Sequence, residues 1–272
     1  MSRETSDLFQ SNNLIKKIIV KDIEIINVDL SNISEYGIFC VRNPKHQGYQ
    51  AKLKWLKKRF SEGLKLKLLY LHSSGPVGFI EYVPGEKTWR GVEAKGYMVI
   101  HCIWVGGSHQ GKGYGSRLLE ECIKDAKKEK KHGVVMVTRE GGWLSGKKLF
   151  LKNNSELVKR DSPFCLMVKK FKKNAPTPDF KGEQKKKLKK YKELTLIYAS
   201  QCPFLAKSIR ELTSASKEKG IKLNIIELKK PAQSQNAPSP YGVFNLVYKG
   251  RLLADHYISK RRFQYIMNEE LK

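Results

Sequence analysis

The chain has 272 residues, and its 40% hydrophobic content can supply packed cores for two domains of ordinary size, which argues against wholesale disorder. The formal net charge of +27 favours contacts with polyanions or acidic substrates, although a lysine-rich surface alone can produce it. The five cysteines are widely spaced and include no Cys-x-x-Cys pair, which argues against a disulfide framework and a zinc ribbon. We therefore expect a reducing, cytoplasmic environment.

Residues 1–20 are polar and then basic, which predicts a poorly ordered lead-in. They lack the uninterrupted apolar segment of a signal peptide. No run in the sequence approaches the roughly 20 apolar residues of a membrane span. We therefore expect neither a secretory leader nor a membrane span.

Strand and helix patterns alternate over residues 21–173. The predicted strands cover residues 23–28, 64–72, 77–83, 97–105, 134–137, 156–159 and 165–171. The predicted helices cover residues 34–40, 50–62, 117–126 and 147–153. The strand at 97–105 is a continuous apolar run, which is typical of a buried strand at the centre of a sheet.

A glycine-rich turn, Gly-Gly-Ser-His-Gln-Gly-Lys-Gly-Tyr-Gly-Ser at 106–116, joins this central strand to the next helix. The first amides of a helix have no intrahelical partner and lie at its positive end, so such a turn suits a phosphate. A nucleotide P-loop is disfavoured because Gly113 follows Lys112, where a Ser or Thr would bind magnesium. A dinucleotide fingerprint is disfavoured because its third glycine is misplaced. A glycine turn without a ligand is the remaining alternative.

The spacing Gln110-x-x-Gly113-x-Gly115 resembles the loop with which the GNAT superfamily of acetyl-CoA-dependent N-acyltransferases holds the coenzyme A pyrophosphate. The element order over residues 22–173 also resembles the GNAT fold. The resemblance implies an α/β (α+β) architecture in which a mixed central sheet is flanked by helices. It also implies acetyl-CoA as co-substrate without a metal, and direct transfer of the acetyl group to a primary amine of a small molecule or peptide.

The same resemblance implies which residues hold the cofactor. Backbone amides of the turn would bind the pyrophosphate, Lys112 would add charge, and the pantetheine arm would pair with the backbone of the central strand. The implied cofactor-binding residues are Ile103, Val105, Gln110, Gly111, Lys112, Gly113, Tyr114, Gly115 and Ser116.

Two residues are candidates for the base that deprotonates the amine. The two-residue period of a strand puts four side chains on one face of the central strand, namely Val99, His101, Ile103 and Val105. His101 is the first candidate, because the family often has a carboxylate or histidine near this place; the alternative is a hydrogen-bonded core residue. Glu81, among apolar residues of its strand, is the second, because burial would raise its pKa toward that of a useful base. It could equally face solvent.

The group that protonates the departing thiolate is less evident. Many family members place a tyrosine in the helix after the next strand, but the matching residue here is Phe150, which has no hydroxyl. Cys102 is a candidate nucleophile or donor, although the two-residue period points it away from the face of His101; buried core is its alternative. A non-catalytic coenzyme A sensor or scaffold is therefore the rival that Phe150 favours.

Residues 174–192 are rich in lysine and include Pro176 and Pro178, which predicts a solvated, self-repelling linker. Aromatic residues are not regularly interleaved there to stack on bases, so nucleic-acid binding is not favoured. Beyond the linker, strands at 194–199, 223–228, 243–248 and 251–257 alternate with a helix at 205–219, a loop at 231–242 and a last helix at 260–271.

This element order in residues 193–272 resembles a small thioredoxin/glutaredoxin-like domain, and the combination resembles acetyltransferases with a YoaP-like C-terminal domain. Cys202-Pro203-Phe204-Leu205 stands where the redox family has two cysteines, and Ser239-Pro240 where it has a cis-proline. Because the second position is leucine, any redox role of Cys202 is that of a monothiol adaptor, helped by a helix start that lowers a thiol pKa. The alternative is a small residue packed beside Pro203. The acceptor and the oligomeric state stay open.

Overall fold

The computed structural model describes residues 23–141, 146–182 and 184–272. The predicted lead-in at 1–20 lies outside these residues. The strands are β1 (Ile23–Val28), β2 (Lys65–Leu71), β3 (Gly75–Pro84), β4 (Val92–Glu93), β5 (Met98–Val105), β6 (Gly133–Arg139), β7 (Glu156–Asp161), β8 (Phe164–Lys170), β9 (Asp179–Phe180), β10 (Thr195–Tyr198), β11 (Asn224–Glu227), β12 (Phe244–Tyr248) and β13 (Arg251–Ala254).

The helices agree with the predicted ones except at their ends and in two additions. They are α1 (Ile33–Tyr36), α2 (Gln47–Phe60), α3 (Tyr114–Lys128), α4 (Lys147–Lys152), α5 (Gln184–Lys189), α6 (Leu205–Glu218), α7 (Pro231–Gln235) and α8 (Lys260–Glu270). The predicted linker contains α5, and the predicted loop at 231–242 contains α7, which begins at a proline as helices often do.

The larger sheet has seven strands in the order β1-β2-β3-β5-β6-β8-β7. Its pairs are antiparallel except β5 with β6, which run parallel. Helix α3 buries Leu118 and Cys122 against one face, while Trp55 and Leu56 of α2 lie in a second core cluster on the other side. The predicted mixed central sheet flanked by helices is therefore confirmed.

A β-bulge interrupts the pairing of β3 with β5. Glu81 lies opposite Cys102, but the next residue, Tyr82, lies opposite Ile100, so His101 is the extra residue. A bulge of this kind bends a strand and redirects its side chains, and bulges are common beside functional sites.

Strands β5 and β6 separate halfway along their length. Their pairing covers only Met98–Ile100 and Val134–Met136, after which β5 continues beside β3 alone. A groove therefore opens between β5 and β6 along the second half of β5.

The C-terminal region, residues 193–272, forms a four-stranded sheet in the order β11-β10-β12-β13 with helices α6 and α8 packed together. This region lies directly against the larger sheet's helix α2. A Cβ at Gly48 would come 1.7 Å from the Pro203 carbonyl oxygen, so only glycine permits this approach. One hydrophobic cluster contains Val99 of the large sheet together with Leu196 of the small one.

The predicted solvated linker is partly structured. Strand β9 pairs with β4, Ala175 and Phe180 are buried, and the Tyr97 hydroxyl donates a 2.6 Å hydrogen bond to the Pro176 carbonyl. Most described residues of the segment are exposed or half-buried, and the lysine content of the sequence hid the few apolar side chains that anchor it.

Candidate active site

The glycine turn forms the entrance to helix α3. Gly111 and Gly113 have φ of 78° and 81°, a backbone conformation that favours glycine, and a Cβ at either position would meet nothing within 4 Å. The space beside them is therefore open to a ligand. The Gln110 amide donates a 3.1 Å hydrogen bond to the Val105 carbonyl and so ties the turn to the end of β5. Gly115 serves packing as well, because its Cβ would lie 3.3 Å from Leu149.

A cavity of about 510 Å³ begins beside this turn at Gln110 and follows the edge of β5 past Ile103. Its far wall comes from the C-terminal region, from the segment Gln201–Phe204 with Tyr241 and Tyr257. His101, Glu81 and Cys102 also line it, so the cavity brings the three candidate catalytic residues together with part of the candidate cofactor site.

The bulge changes which side chains share a face of β5. Val99 packs in the cluster under α2, whereas Ile103 and Val105 belong to the cluster on the opposite face, so the predicted common face is wrong. Cys102 packs against the cluster of Val99 and lines the same cavity as His101. Its predicted orientation away from His101 is wrong for the same reason: the extra residue breaks the two-residue alternation.

Glu81 is wholly buried and makes three polar contacts. One carboxylate oxygen forms an ion pair with the Lys52 ammonium, and the other accepts a 2.9 Å hydrogen bond from the Gln201 amide and lies 3.5 Å from His101 Nδ1. Burial alone would raise the pKa of Glu81, but Lys52 and His101 outweigh it and lower that pKa to about 2. The predicted raised pKa is therefore wrong, and so is the alternative of a solvent-facing carboxylate.

His101 is held by the loop before β4. Its Nε2 accepts a 3.0 Å hydrogen bond from the Trp89 amide and lies 3.2 Å from the Thr88 hydroxyl. Because that amide can only donate, Nε2 carries no proton, and the ring's proton lies on Nδ1 facing Glu81. Burial, assisted by Arg90, lowers the pKa of His101 to about 4 despite the opposing effect of Glu81, so the ring is neutral at pH 7.

Arg90 joins the bulge to the C-terminal region. This wholly buried guanidinium donates to the His101 carbonyl at 2.5 Å, to Gln201 Oε1 at 2.9 Å and to the Tyr241 carbonyl at 3.2 Å. It also lies over the Tyr241 ring, 4.5 Å from the centroid. Gln201 therefore contacts Glu81 and Arg90 at once, which makes the C-terminal region part of the site.

Sequence reasoning missed Lys52, Arg90 and Gln201. Lys52 carried a detectable signal, because Tyr49, Lys52 and Trp55 follow one another at three-residue spacing on the buried face of α2. A lysine within such an apolar stripe needs a buried partner. Arg90 and Gln201 lie in loops, where no pattern marks burial.

Three thiols, those of Cys40, Cys102 and Cys202, line the cavity. Burial raises the pKa of Cys102 to about 12 and that of Cys202 to about 11, although the Phe204 amide lowers the latter. The expectation that the helix start lowers the Cys202 pKa is wrong, because desolvation of the thiolate outweighs the helix terminus.

The described part of the chain contains no group of three or more His, Cys, Asp or Glu residues that could hold a metal ion. In the same residues, no helix combines the length and apolar character needed to cross a membrane. Phe150 is buried in the cluster that contains Leu119 of α3. Because phenylalanine has no hydroxyl, this position cannot donate a proton to a departing thiolate.

Residues 36–141 of this chain match the family model described as "Acetyltransferase (GNAT) family". An uncharacterised N-acetyltransferase, YoaP, from Bacillus subtilis (strain 168) is 30% identical over 249 residues, which cover 89% of this chain and 98% of the relative.

Two solved structures are also similar. A GNAT-family acetyltransferase from Staphylococcus aureus Mu50 is 17% identical and covers 55% of this chain and 99% of its own, with a TM-score of 0.42. The PaiA N-acetyltransferase from Thermoplasma acidophilum in complex with coenzyme A is 15% identical to this chain, with a TM-score of 0.37. The match covers 55% of this chain and 99% of the PaiA chain. From the family model and the B. subtilis relative together, the chain belongs to the GNAT acetyltransferase family and is an acyltransferase.

Proposed function

We propose that the protein transfers an acetyl group from acetyl-CoA to a primary amine, by direct attack of the amine on the thioester. The observation that carries this proposal is a single cavity that extends from Gln110 at the glycine turn to the buried Glu81 and His101. Such a cavity can place a thioester and a nucleophile within reach of each other and exclude water.

Acetyl-CoA fits the cofactor end. The open space at Gly111 and Gly113 allows the pyrophosphate to approach the free amides at the start of α3, with Lys112 nearby. The pantetheine arm would lie along the second half of β5, where β6 has separated from it and Ile103 lines the cavity. In this proposal Gln110, Tyr114, Gly115 and Ser116 complete the cofactor site.

The acceptor end favours a neutral amine. Lys52 and Arg90 are cationic, Glu81 is anionic and His101 is neutral, so these four buried groups carry a net positive charge. A positive surrounding lowers the pKa of an incoming ammonium and releases its proton. The cavity thereby supplies the nucleophile without a strong base.

In this proposal Glu81 accepts the proton and His101 holds the carboxylate in position. The Nδ1 proton of His101 points to Glu81, and the lone pair of Nε2 is held by the Trp89 amide, so the carboxylate receives the proton that the attacking amine loses. The thiolate leaves as coenzyme A and takes a proton from solvent. Glu81 returns its proton to solvent, so the neutral amine loses one proton and the thiol gains one. An amine that enters as an ammonium has first released one further proton to solvent.

We further propose that residues 21–173 form the acetyltransferase domain and 193–272 a thioredoxin-like domain, with 174–192 between them. The sheet order β11-β10-β12-β13, with β10 and β11 parallel and α6 between them, supports this. In this proposal the thioredoxin-like domain completes the cavity and has no redox role, since Leu205 replaces the second cysteine and burial raises the Cys202 pKa. All five cysteines are free thiols, which suits a cytoplasmic protein.

The test is release of coenzyme A thiol from acetyl-CoA in the presence of a panel of primary amines. Amine-dependent release supports the proposal. Binding of coenzyme A without release for any amine would instead make the protein a coenzyme A sensor or scaffold.

A further inference from the structure

The acceptor wall of the cavity is mainly aromatic and comes from both regions of the chain. Trp104 from β5 faces one side, and Phe204 and Tyr257 of the C-terminal region form another. The rings of Phe204 and Tyr257 lie 5.7 Å apart at 37°, and Trp104 packs edge-on to Phe39 at 5.1 Å.

Two of these rings are more exposed than packing alone explains. Trp104 is 41% exposed and Phe204 is 36% exposed, and both line the same cavity. Large aromatic side chains left open to a concave site are typical of contacts with an apolar ligand.

The charges of the lining are already paired with one another. Lys52 and Glu81 are the ionised side chains among the described residues that line the cavity, and they form an ion pair. Gln201 occupies the second oxygen of Glu81. The lining therefore offers no unpaired charge to a carboxylate or a second ammonium, and burying such a group unpaired is costly. The positive charge of Arg90 behind the lining disfavours a second ammonium further.

From these observations, and resting on the acetyl transfer proposed above, we infer that the acceptor is a small monoamine with an uncharged aromatic body, such as an arylalkylamine. Its ring lies between Trp104 and the pair formed by Phe204 and Tyr257, and its amine points toward Glu81. The C-terminal region forms one wall of the cavity and narrows access to Glu81, which favours a small molecule over a surface lysine of a folded protein.

The experiment compares 2-phenylethylamine and tyramine with n-hexylamine, spermidine and L-lysine at saturating acetyl-CoA. We expect kcat/KM for the two arylalkylamines to exceed that for spermidine and lysine by about 100-fold, because the latter bring unpaired charge into the cavity. The margin over n-hexylamine is smaller, about 10-fold or less, because it reflects aromatic contact alone.

Phe204→Ala locates the effect. Truncation should raise the KM for 2-phenylethylamine about 10-fold, by loss of aromatic contact and apolar burial, and leave the KM for acetyl-CoA unchanged. Tyr265→Ala is the matched control, because Tyr265 is a 58% exposed aromatic residue of α8 in the same region and does not line the cavity. Phe204→Tyr keeps the ring and should keep the wild-type KM.

The outcomes separate this inference from the proposed function. Preferred turnover of spermidine or lysine would overturn the aromatic acceptor and retain acetyl transfer. If no amine is acetylated, calorimetric titration of 2-phenylethylamine into the coenzyme A complex decides: binding lost in Phe204→Ala supports the aromatic site, and no binding to the wild type overturns it.

Discussion

The two ends of the cavity are assembled in opposite ways. At the proposed cofactor end, the turn and the start of α3 are contiguous in sequence, and the proposed ligand groups are backbone amides that depend on the φ angles of Gly111 and Gly113. At the acceptor end, Glu81 and Gln201 are hydrogen-bonded across 120 residues. Backbone groups make the first end tolerant of side-chain change, whereas the second depends on each buried polar group having its partner.

We therefore expect coenzyme A binding to be lost only when the turn itself is changed. The double variant Gly113→Ala with Gly115→Asp forces a β-carbon into a left-handed position and sets a carboxylate against the pyrophosphate. We expect coenzyme A affinity, measured by calorimetry, to fall by more than about 100-fold. The helix itself should survive, since an acidic residue near a helix start is favourable.

The control for this variant is Gly220→Ala. Gly220 has a positive φ of 66° and open space at its Cβ, but it follows α6, away from the turn. It imposes a similar backbone strain and should leave affinity unchanged. Unaltered coenzyme A binding by the double variant would contradict the assignment of the cofactor site.

The acceptor end should be sensitive to single polar atoms. Glu81→Gln and His101→Ala should each lower kcat by about 100-fold at neutral pH, the typical contribution of a proton-accepting group. Because the two residues act as one unit, the double variant should be little worse than either single variant. Recovery of the His101→Ala rate at higher pH, where free amine accumulates, is the expected signature.

Steady-state pH profiles of the three variants measure this. Additive losses would show that the two side chains act separately. A fully active His101→Ala enzyme with the wild-type profile would leave proton transfer to Glu81 and water.

The contrast also explains what the sequence could predict. The glycine turn and the order of the strands along the chain were predictable because a positive φ favours glycine and a buried strand is typically an apolar run. The bulge at His101 was not, because the residues from Val99 to Val105 read as an uninterrupted strand. The partners of Glu81 were hidden because Lys52 meets it only when α2 packs on the large sheet, and Gln201 only when the C-terminal region packs there.

Arg90 tests whether the two regions act as one site. Arg90→Lys keeps the charge but cannot reach the His101 carbonyl, Gln201 and the Tyr241 carbonyl together. We expect kcat/KM for the amine to fall about 10-fold through displacement of the bulge, with acetyl-CoA KM unchanged.

Arg210→Lys is the control. Arg210 also joins the two regions, because it donates a 2.9 Å hydrogen bond to the Gln47 side chain, but this contact lies on the surface. Loss of this surface hydrogen bond should change neither kcat/KM for the amine nor KM for acetyl-CoA. Equal effects of the two variants would show that any contact between the regions matters, rather than the buried guanidinium.

The acceptor end should also respond in stability below neutral pH, through its buried His101 and Glu81. The His101 pKa of about 4 lies below its usual 6.5, so the unfolded chain binds more protons as pH falls, and the folded state loses stability between pH 6.5 and 4. Glu81, with a pKa of about 2 against 4.5, adds a loss below pH 4.5. Between pH 6.5 and 4.5, His101 alone accounts for on the order of 2 kcal/mol of unfolding free energy.

Urea unfolding of wild type, His101→Gln and the exposed-residue control His72→Gln measures this loss of stability. His101→Gln, which can still accept the Trp89 amide, should flatten this part of the curve, and an equally steep slope in that variant would assign the acid sensitivity to another group.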